Sequence, residues 1–237
     1  MNAFTVFAHR GAAGTEPENT LRSFRKALAC GAEWVELDVH SVEGVPVVFH
    51  DNRLNRRTKG SGVISRRPLE YVLSLDAGLG ERIPLLDEVL SLLSGKAGVN
   101  IELKGRRTAE PVAALLADRL SGGAWTPEHL LVSSFDPAEL SRFSRLMPQI
   151  RLGALFRKAP ADMGAVPPGQ GLFSLHLHKR AVSAEIVDRA HGRGLRVFVY
   201  TVNDPADAAR LKNMGVDGVF TDFPERFLPS RDGFPPT

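Results

Sequence analysis

Short runs of apolar, mostly β-branched residues alternate along this chain with longer amphipathic stretches. Eight runs have the length and composition of buried strands: FTVFA, EWVELDV, GVNIEL, LLVSS, RLGAL, LFSLH, LRVFVYT and DGVFT. Most are followed by a stretch with helical periodicity, of which ENTLRSFRKALACG is the first and ends on a glycine stop signal. Alternation of this kind with eight strands predicts a (β/α)8 TIM barrel, whose usual length is close to the 237 residues present.

A doubly wound parallel sheet is the competing architecture. Such a sheet is expected to carry a glycine-rich phosphate loop after an early strand, and neither GxGxxG nor GxxxxGK[ST] follows any of the runs. The barrel is therefore favoured. We expect a single barrel domain over residues 1–237, with a small insertion at about 52–80 beside the barrel mouth.

A ninth run, GVPVVFH, follows the second run after only a short turn. A parallel neighbour needs a crossover of a dozen or more residues, so this run is predicted to fold back as a β-hairpin arm above the barrel. If the turn centres near Val42, His50 returns about level with Glu36, near the carboxyl end of the second barrel strand.

Two carboxylates interrupt the apolar pattern of the second strand. Side chains two apart on a strand share a face, so Glu36 and Asp38 point into the barrel top while their apolar neighbours pack under helices. At about 6.6 Å along the strand they repel by roughly 2.5 kcal/mol at an effective dielectric of 20. Glu102 and Lys104 share a face of the third strand, which brings a third carboxylate beside the first two.

Three convergent carboxylates without a thiol favour one hard divalent cation, Mg²⁺ or Ca²⁺. The alternative is a structural ion network with Lys104 and Arg10. Two histidines at neighbouring strand ends favour the metal site: His9 closes the first strand and His50 closes the arm. Imidazoles on either side of a metal can supply both proton transfers that phosphodiester cleavage requires. Arg10 and Lys104 would then bind the phosphate oxygens.

The order of the motifs makes the assignment specific. AHRG, PENT, ELD, VVFHD, IELK, SSFD, YTVN and DGVFTDFP follow one another from His9 to Pro224. As a set they resemble the glycerophosphodiester phosphodiesterase family, which is distantly similar to phosphatidylinositol-specific phospholipase C. The resemblance implies a TIM barrel that hydrolyses glycerophosphocholine, glycerophosphoethanolamine and similar diesters to sn-glycerol 3-phosphate and an alcohol.

The resemblance also implies roles for single residues. His9 and His50 match the acid/base pair, Glu36, Asp38 and Glu102 match the metal ligands, and Arg10 and Lys104 match the phosphate-binding cations. Which histidine is the acid stays open, as does the choice between water and the substrate 2-hydroxyl as nucleophile. Tyr200 stands where the family usually has tryptophan before TVN, and we expect it either to bind the head group or to pack in the core.

Other polar residues near strand ends receive weaker predictions. Glu18 and Asn19 are predicted to cap the first helix rather than to reach the site. His176 and His178 share a strand face; they could line the mouth or add a ligand, but a structural role is the favoured prediction. Ser134 and Asn203 lie at strand ends, where barrel loops build active sites.

Composition adds little that points to other partners. The net charge of +3 could suggest nucleic acid, but only residues 52–67 form a one-sided basic segment, so we expect no nucleic acid. No apolar run approaches the roughly 20 residues of a membrane span, and no signal peptide is visible. The lone Cys30 cannot form an internal disulfide, which indicates the cytoplasm.

Two rival functions remain. A lysophospholipase D-type lipid phosphodiesterase would use the same seven residues behind an apolar mouth. The weaker rival is a barrel without enzymatic activity that binds anions or nucleic acid through residues 52–67. Such a protein has no need for three carboxylates that repel one another. The preferred partner is a small glycerophosphodiester, without stable membrane insertion, and the sequence carries no signal of an oligomeric state.

Overall fold

The computed structural model describes residues 4–160 and 172–228. Within them, eight parallel strands close into a ring, and one further strand pairs antiparallel to the second. The strands are β1 (Thr5–His9), β2 (Trp34–Val42), β3 (Val45–Val48), β4 (Gly98–Leu103), β5 (Leu130–Ser134), β6 (Arg151–Phe156), β7 (Leu172–His178), β8 (Arg196–Tyr200) and β9 (Gly218–Thr221). Pairing of β1 with both β2 and β9 completes the barrel, as the strand count predicts.

Helices surround the barrel. They are α1 (Leu21–Ala29), α2 (Leu69–Leu73), α3 (Leu86–Leu93), α4 (Ala109–Ser121), α5 (Pro137–Leu146), α6 (Ala184–His191) and α7 (Pro205–Asn213). Thr20 caps α1, because its hydroxyl accepts the Ser23 backbone N–H. The prediction that Glu18 and Asn19 cap this helix is therefore wrong.

Alternation along the strands separates two apolar layers. Val35, Leu37 and Val39 are fully buried on the outer face of β2, in the large core between the strands and the helices. The inner face carries a separate aromatic cluster, in which the Phe7 and Phe220 rings stack with centroids 4.5 Å apart. These rings fill the amino-terminal half of the barrel, so polar side chains two residues further along face the mouth.

The hairpin arm forms as predicted, but its turn lies later. Val42 pairs with Val45, so the turn is Glu43–Gly44, and the same register continued past β3 puts His50 about level with Leu37, within one residue of the expected Glu36. Both turn residues have positive φ, 52° and 82°, as in the tight hairpin turns that match strand twist. Since β3 ends at Val48, strand alternation no longer fixes the direction of the His50 side chain.

Residues between the arm and α3 have a small core of their own. Val42 and Val47 of the arm pack with Leu54, Ile64 and other buried side chains from the insertion. The insertion therefore supports the arm from outside the barrel. Over the described ranges, no helix combines the length and the apolar character needed to span a membrane.

Candidate active site

Three carboxylates converge at the carboxyl ends of β2 and β4. Glu36, Asp38 and Glu102 are 2%, 1% and 7% exposed, and each offers an oxygen within 4.8 Å of the others. The strand register explains the meeting, because Asp38 pairs directly with Glu102 across the parallel ladder. The structure thus brings together the acidic cluster that the strand pattern predicts.

Two cations lie against this cluster. Arg10 Nε is 3.1 Å from Asp38 Oδ2, and Lys104 Nζ is 2.8 Å from Glu102 Oε1 and 3.5 Å from Asp38 Oδ1. Arg10 adopts a left-handed φ of 53°, and its backbone N–H donates to Glu36 Oε2 at 3.0 Å. The ion pairs of the alternative interpretation are therefore present around the carboxylates, and the same two cations are the ones expected to bind phosphate.

The three carboxyl groups of the cluster have pKa values shifted in different directions. Burial raises the pKa of Glu36 well above its usual value, and the neighbouring Asp38 and Glu102 charges add to this. Burial and the Asp38 charge raise the pKa of Glu102 to about 7. Burial acts the same way on Asp38, but Arg10 and Lys104 outweigh it and hold the pKa of Asp38 below its ordinary range. Asp38 is thus the anionic centre.

The cluster has the donors that a hard cation needs. Asp38 Oδ1 and Glu102 Oε1 are buried, and their partner in the described ranges is the ammonium of Lys104, at 3.5 and 2.8 Å, which lacks normal hydrogen-bond geometry to either oxygen. Carboxylate oxygens alone are the ligand type of Mg²⁺ and Ca²⁺. The raised pKa values of Glu36 and Glu102 come partly from repulsion between the carboxylates, which a bound cation would relieve. These three residues could therefore hold one divalent ion.

His9 is oriented by a carboxylate from the last strand. Its Nδ1 lies 2.6 Å from Asp222 Oδ1, and its Nε2 faces the cluster, 3.9 Å from Glu36 Oε2. Asn203 fixes Asp222 by donating from Nδ2 to Oδ2 at 2.7 Å and by accepting the Asp222 backbone N–H at 2.9 Å. The imidazole is held on one side and free on the other.

His50 is oriented in the same way from the arm. Its Nδ1 is 2.7 Å from Asp51 Oδ1, and Arg56 donates to both carboxylate oxygens of Asp51. Hydrogen bonds from Arg56, with a further one from His50, lower the pKa of Asp51 to about 2. Burial lowers the pKa of His50 itself. His40 Nε2 also contacts the His50 carbonyl, at 3.3 Å.

Glu18 and Asn19 belong to the site. Asn19 Nδ2 donates to Asp38 Oδ2 at 2.9 Å, and the side-chain Oδ1 of Asn19 accepts the Asp38 backbone N–H at 3.3 Å. Glu18 accepts from Arg10 at 3.2 Å and pairs with Arg57 of the insertion. The turn before α1 turns these side chains inward, because Asn19 takes a left-handed φ of 60°.

A cavity of about 730 Å³ opens over the cluster, and both histidines line it. Tyr200 lies on its wall, where its hydroxyl donates to the Phe156 carbonyl at 2.9 Å. His176 and His178 both line the cavity; His176 does so from a fully buried position, with Ser174 Oγ 2.9 Å from its Nε2. The Ser134 hydroxyl donates a hydrogen bond to the Leu103 carbonyl at 2.7 Å.

Two supporting residues escaped the sequence analysis: Asp222 and Asp51, which orient the histidines. Asn203, placed by the sequence at a strand end, lines the cavity and holds Asp222. Asp51 directly follows His50, and Asp222 follows the last strand run, so strand-end position was the available signal. Nothing in the sequence pairs His9 with a residue 213 positions away.

Comparison with known proteins identifies the family. A family model described as the glycerophosphoryl diester phosphodiesterase family matches residues 9–226. A glycerophosphodiester phosphodiesterase of Caldanaerobacter subterraneus subsp. tengcongensis is 32% identical over 232 residues, covering 94% of this chain and 96% of that protein. One from Bacillus altitudinis is 33% identical over 240 residues, covering 96% and 98%.

Solved structures agree with the sequence relatives. An Oleispira antarctica phosphodiesterase in complex with the product sn-glycerol-3-phosphate superposes with a TM-score of 0.86 at 35% identity, covering 94% of each chain. A further phosphodiesterase structure, from Agrobacterium tumefaciens, gives a TM-score of 0.79 at 30% identity, covering 94% of this chain and 98% of the other. The predicted resemblance, barrel and enzyme class are confirmed. The chain therefore belongs to the glycerophosphoryl diester phosphodiesterase family.

Proposed function

We propose that the site hydrolyses small glycerophosphodiesters, such as glycerophosphocholine and glycerophosphoethanolamine, to sn-glycerol 3-phosphate and an alcohol. The observation that carries the proposal is the arrangement of two carboxylate-backed histidines, His9 and His50, around one buried cluster of three carboxylates. The Oleispira relative, whose structure holds sn-glycerol-3-phosphate as product, supports the same reaction.

The histidines would perform the two proton transfers. Each is held through Nδ1 by an aspartate, which leaves Nε2 free toward the cavity. A neutral imidazole takes a proton from the attacking oxygen, and a protonated one gives a proton to the departing alcohol. Both assignments fit, and both water and the substrate 2-hydroxyl fit as nucleophile. A diester that lacks the 2-hydroxyl separates the two nucleophiles, because full-rate hydrolysis requires water.

Cationic side chains would hold the phosphate. Arg10 and Lys104 lie at the cluster and line the cavity, so their N–H groups can donate to phosphate oxygens. Glu36, Asp38 and Glu102 would hold the divalent ion, Mg²⁺ or Ca²⁺, which when bound neutralises phosphate charge as a Lewis acid. Tyr200 would form the wall against the head group.

The rim disfavours the lipid-directed rival. Arg157, Lys179 and Arg180 line the mouth and are exposed, whereas a lysophospholipid needs an apolar path for its acyl chain. We expect lysophosphatidylcholine to be cleaved much more slowly than glycerophosphocholine. We also propose that the chain acts as one domain, because the insertion core includes residues of the arm, and that it works in the cytoplasm, as the lone cysteine suggests.

The test is release of glycerol 3-phosphate from glycerophosphocholine, with Mg²⁺, Ca²⁺ or chelator, by wild type and Glu36→Gln. We expect metal-dependent release that chelator abolishes and the variant reduces by at least about 100-fold, since one of three ligands is lost. Glu70→Gln, on α2 and away from the site, is the control and should behave as wild type. Activity that survives both chelator and Glu36→Gln would contradict the metal assignment.

A further inference from the structure

One side of the cavity is more cationic than the phosphodiester itself requires. We propose that its outer part, bounded by Arg157, Lys179, Arg180 and His178, is a subsite for an anionic head group, one that carries a second phosphate beside the scissile diester. The proposal rests on the proposed function and narrows its substrate class. Glycerophosphocholine would then be a substrate of the site without being the one it favours.

The charge of this rim is not neutralised. Arg157, Lys179 and Arg180 line the cavity, and none of them forms an ion pair with a carboxylate in the described ranges. Acidic residues lining the cavity there are Glu36 and Glu102, both committed to the central cluster. A charged ligand group at the rim therefore meets three cations and no competing carboxylate.

The arginines of the insertion that come nearest the site are arranged differently. Arg56 pairs with Asp51, which holds His50, and Arg57 pairs with Glu18, which accepts from Arg10. These two arginines are neutralised and do not line the cavity, whereas the three rim cations line it without a carboxylate partner. Unpaired cations lining the cavity are what an anion subsite requires, because paired ones would have to give up their carboxylates first.

Hydrogen bonds fix the backbone segment that carries Lys179 and Arg180. The Lys179 N–H donates to the Tyr200 carbonyl at 2.9 Å, and the Ala181 N–H donates to the His178 carbonyl at 2.7 Å. The Arg180 N–H donates to His178 Nδ1 at 3.3 Å, which puts the proton of the neutral imidazole on Nε2. Burial lowers the pKa of His178, and the field of the same three cations lowers it further. His178 is then a neutral hydrogen-bond donor beside them.

The aromatic side chains of the rim are poorly placed for a choline group. A quaternary ammonium needs open aromatic faces. Arg157 and Lys104 already lie over the Phe135 ring, at 5.3 and 5.8 Å from its centroid. Tyr200 meets Phe135 edge-on at 6.1 Å, with the ring planes at 90°. A cationic head group would therefore find the Phe135 ring occupied by like charge.

The experiment compares two diesters that differ by one phosphate: glycerophosphoinositol and glycerophosphoinositol 4-phosphate. We expect wild type to favour the phosphorylated diester in kcat/KM by roughly tenfold, and we expect this preference to shrink at high salt. In Arg157→Gln/Arg180→Gln the preference should fall to about twofold or less, mainly through KM on the phosphorylated diester. The control, Lys96→Gln/Lys158→Gln, removes the same charge from residues that do not line the cavity and should keep the wild-type preference.

A binding measurement separates this proposal from the proposed function. Calorimetric titration of inositol 1,4-bisphosphate and inositol 1-phosphate should show tighter binding of the bisphosphate by wild type and loss of that difference in the double variant. If no diester is hydrolysed but this difference is found, the proposed function fails and the subsite stands. Equal wild-type rates on both diesters, a higher rate on glycerophosphocholine, or a preference that survives in the double variant would overturn the subsite.

Discussion

Each catalytic histidine of the proposed mechanism depends on an aspartate that does not itself face the substrate phosphate. Asp222 holds His9 at 2.6 Å and Asp51 holds His50 at 2.7 Å, in both cases through Nδ1. A carboxylate in this position fixes the tautomer and stabilises the imidazolium when a proton arrives. The aspartates are therefore positioning residues, and their contribution is measurable without touching the histidines.

Asp222→Asn is expected to lower kcat by about 10²–10⁴-fold with little change in KM, because the amide cannot stabilise an imidazolium or enforce the same tautomer. Steady-state kinetics over a pH series checks this. In the pH–rate profile, the limb that depends on the protonation of His9 should shift along the pH axis. The matched control is Asp217→Asn, which removes the carboxylate of a second Asp–His pair, His191 Nε2 to Asp217 Oδ2 at 2.9 Å, outside the cavity. A purely structural role for Asp222 would lower stability and leave the pH profile in place.

The carboxylate cluster makes the metal-free protein sensitive to pH. Glu102 has a pKa of about 7 in the folded state against 4.5 when unperturbed, and the pKa of Glu36 is also raised. A raised pKa contributes stability that is present at low pH and is lost as pH rises through the folded value. Buried histidines with lowered pKa values, such as His176 at about 3, act in the opposite sense but only below about pH 6.5. The cluster therefore dominates between pH 6.5 and 8.

We expect the Tm of metal-free wild type to fall from pH 6.5 to 8, and the Tm increase on adding Mg²⁺ or Ca²⁺ to be larger at pH 8 than at pH 6.5. The reason is that the ion binds carboxylates that must first lose their protons. Differential scanning calorimetry of wild type beside Glu36→Gln/Glu102→Gln isolates the effect, since the variant should lose both trends. A metal-induced shift that persists in the variant would place the ion elsewhere.

The strand-borne carboxylates could be predicted from sequence and their partners could not. Glu36 and Asp38 share a face by strand periodicity alone, and Glu102 follows from the same rule one barrel strand later. Asn19 was assigned to the wrong role because an asparagine before a helix usually caps it, and only the backbone at φ 60° turns it toward Asp38. Sequence periodicity thus predicts which side chains share a face of a strand, but it does not predict side-chain directions at turns.

The arm shows the same limit at the scale of an element. Two strand runs with a short turn predict a hairpin, but the turn lies at Glu43–Gly44 because a two-residue loop needs positive φ, which glycine adopts without strain. His50 is consequently one residue further along the ladder than expected. Its placement depends on the insertion core that packs against the arm.

Ile64→Ala tests that dependence. Ile64 is fully buried in the insertion core, so truncation should destabilise the arm by about 2–5 kcal/mol if the site does not collapse. We expect faster hydrogen exchange across residues 42–83 and a lower kcat, because His50 is held less tightly. Leu116→Ala, equally buried in the main core, is the control. Leu116→Ala should lower Tm about as much as Ile64→Ala does, while its kcat at a permissive temperature stays closer to wild type. Equal losses of kcat in the two variants would show that the arm does not position His50 for catalysis.

At the scale of the whole molecule, the basic segment and the net charge of +3 carry less weight than they first suggest. The segment from 52 to 67 follows the arm, and two of its arginines are committed to Asp51 and Glu18. These two arginines thereby support residues of the candidate active site. Arg157, Lys179 and Arg180 instead line the active-site cavity without an ion pair in the described ranges, and its concave wall suits a small anion.

These charges predict different responses to two kinds of anion. Nonspecific duplex binding needs many simultaneous phosphate contacts and falls steeply with salt, so we expect no retention of a 20-base-pair duplex by this protein at about 150 mM salt. Small glycerophosphodiesters should still be hydrolysed there, with kcat/KM only several-fold below its low-salt value, because the site engages few charges. Fluorescence anisotropy with a labelled duplex, beside kinetics at the same salt concentrations, makes the comparison. Duplex binding that persists at this salt and is lost in Arg53→Gln/Lys59→Gln would give the segment a function of its own, since neither residue forms an ion pair with a carboxylate of the described chain.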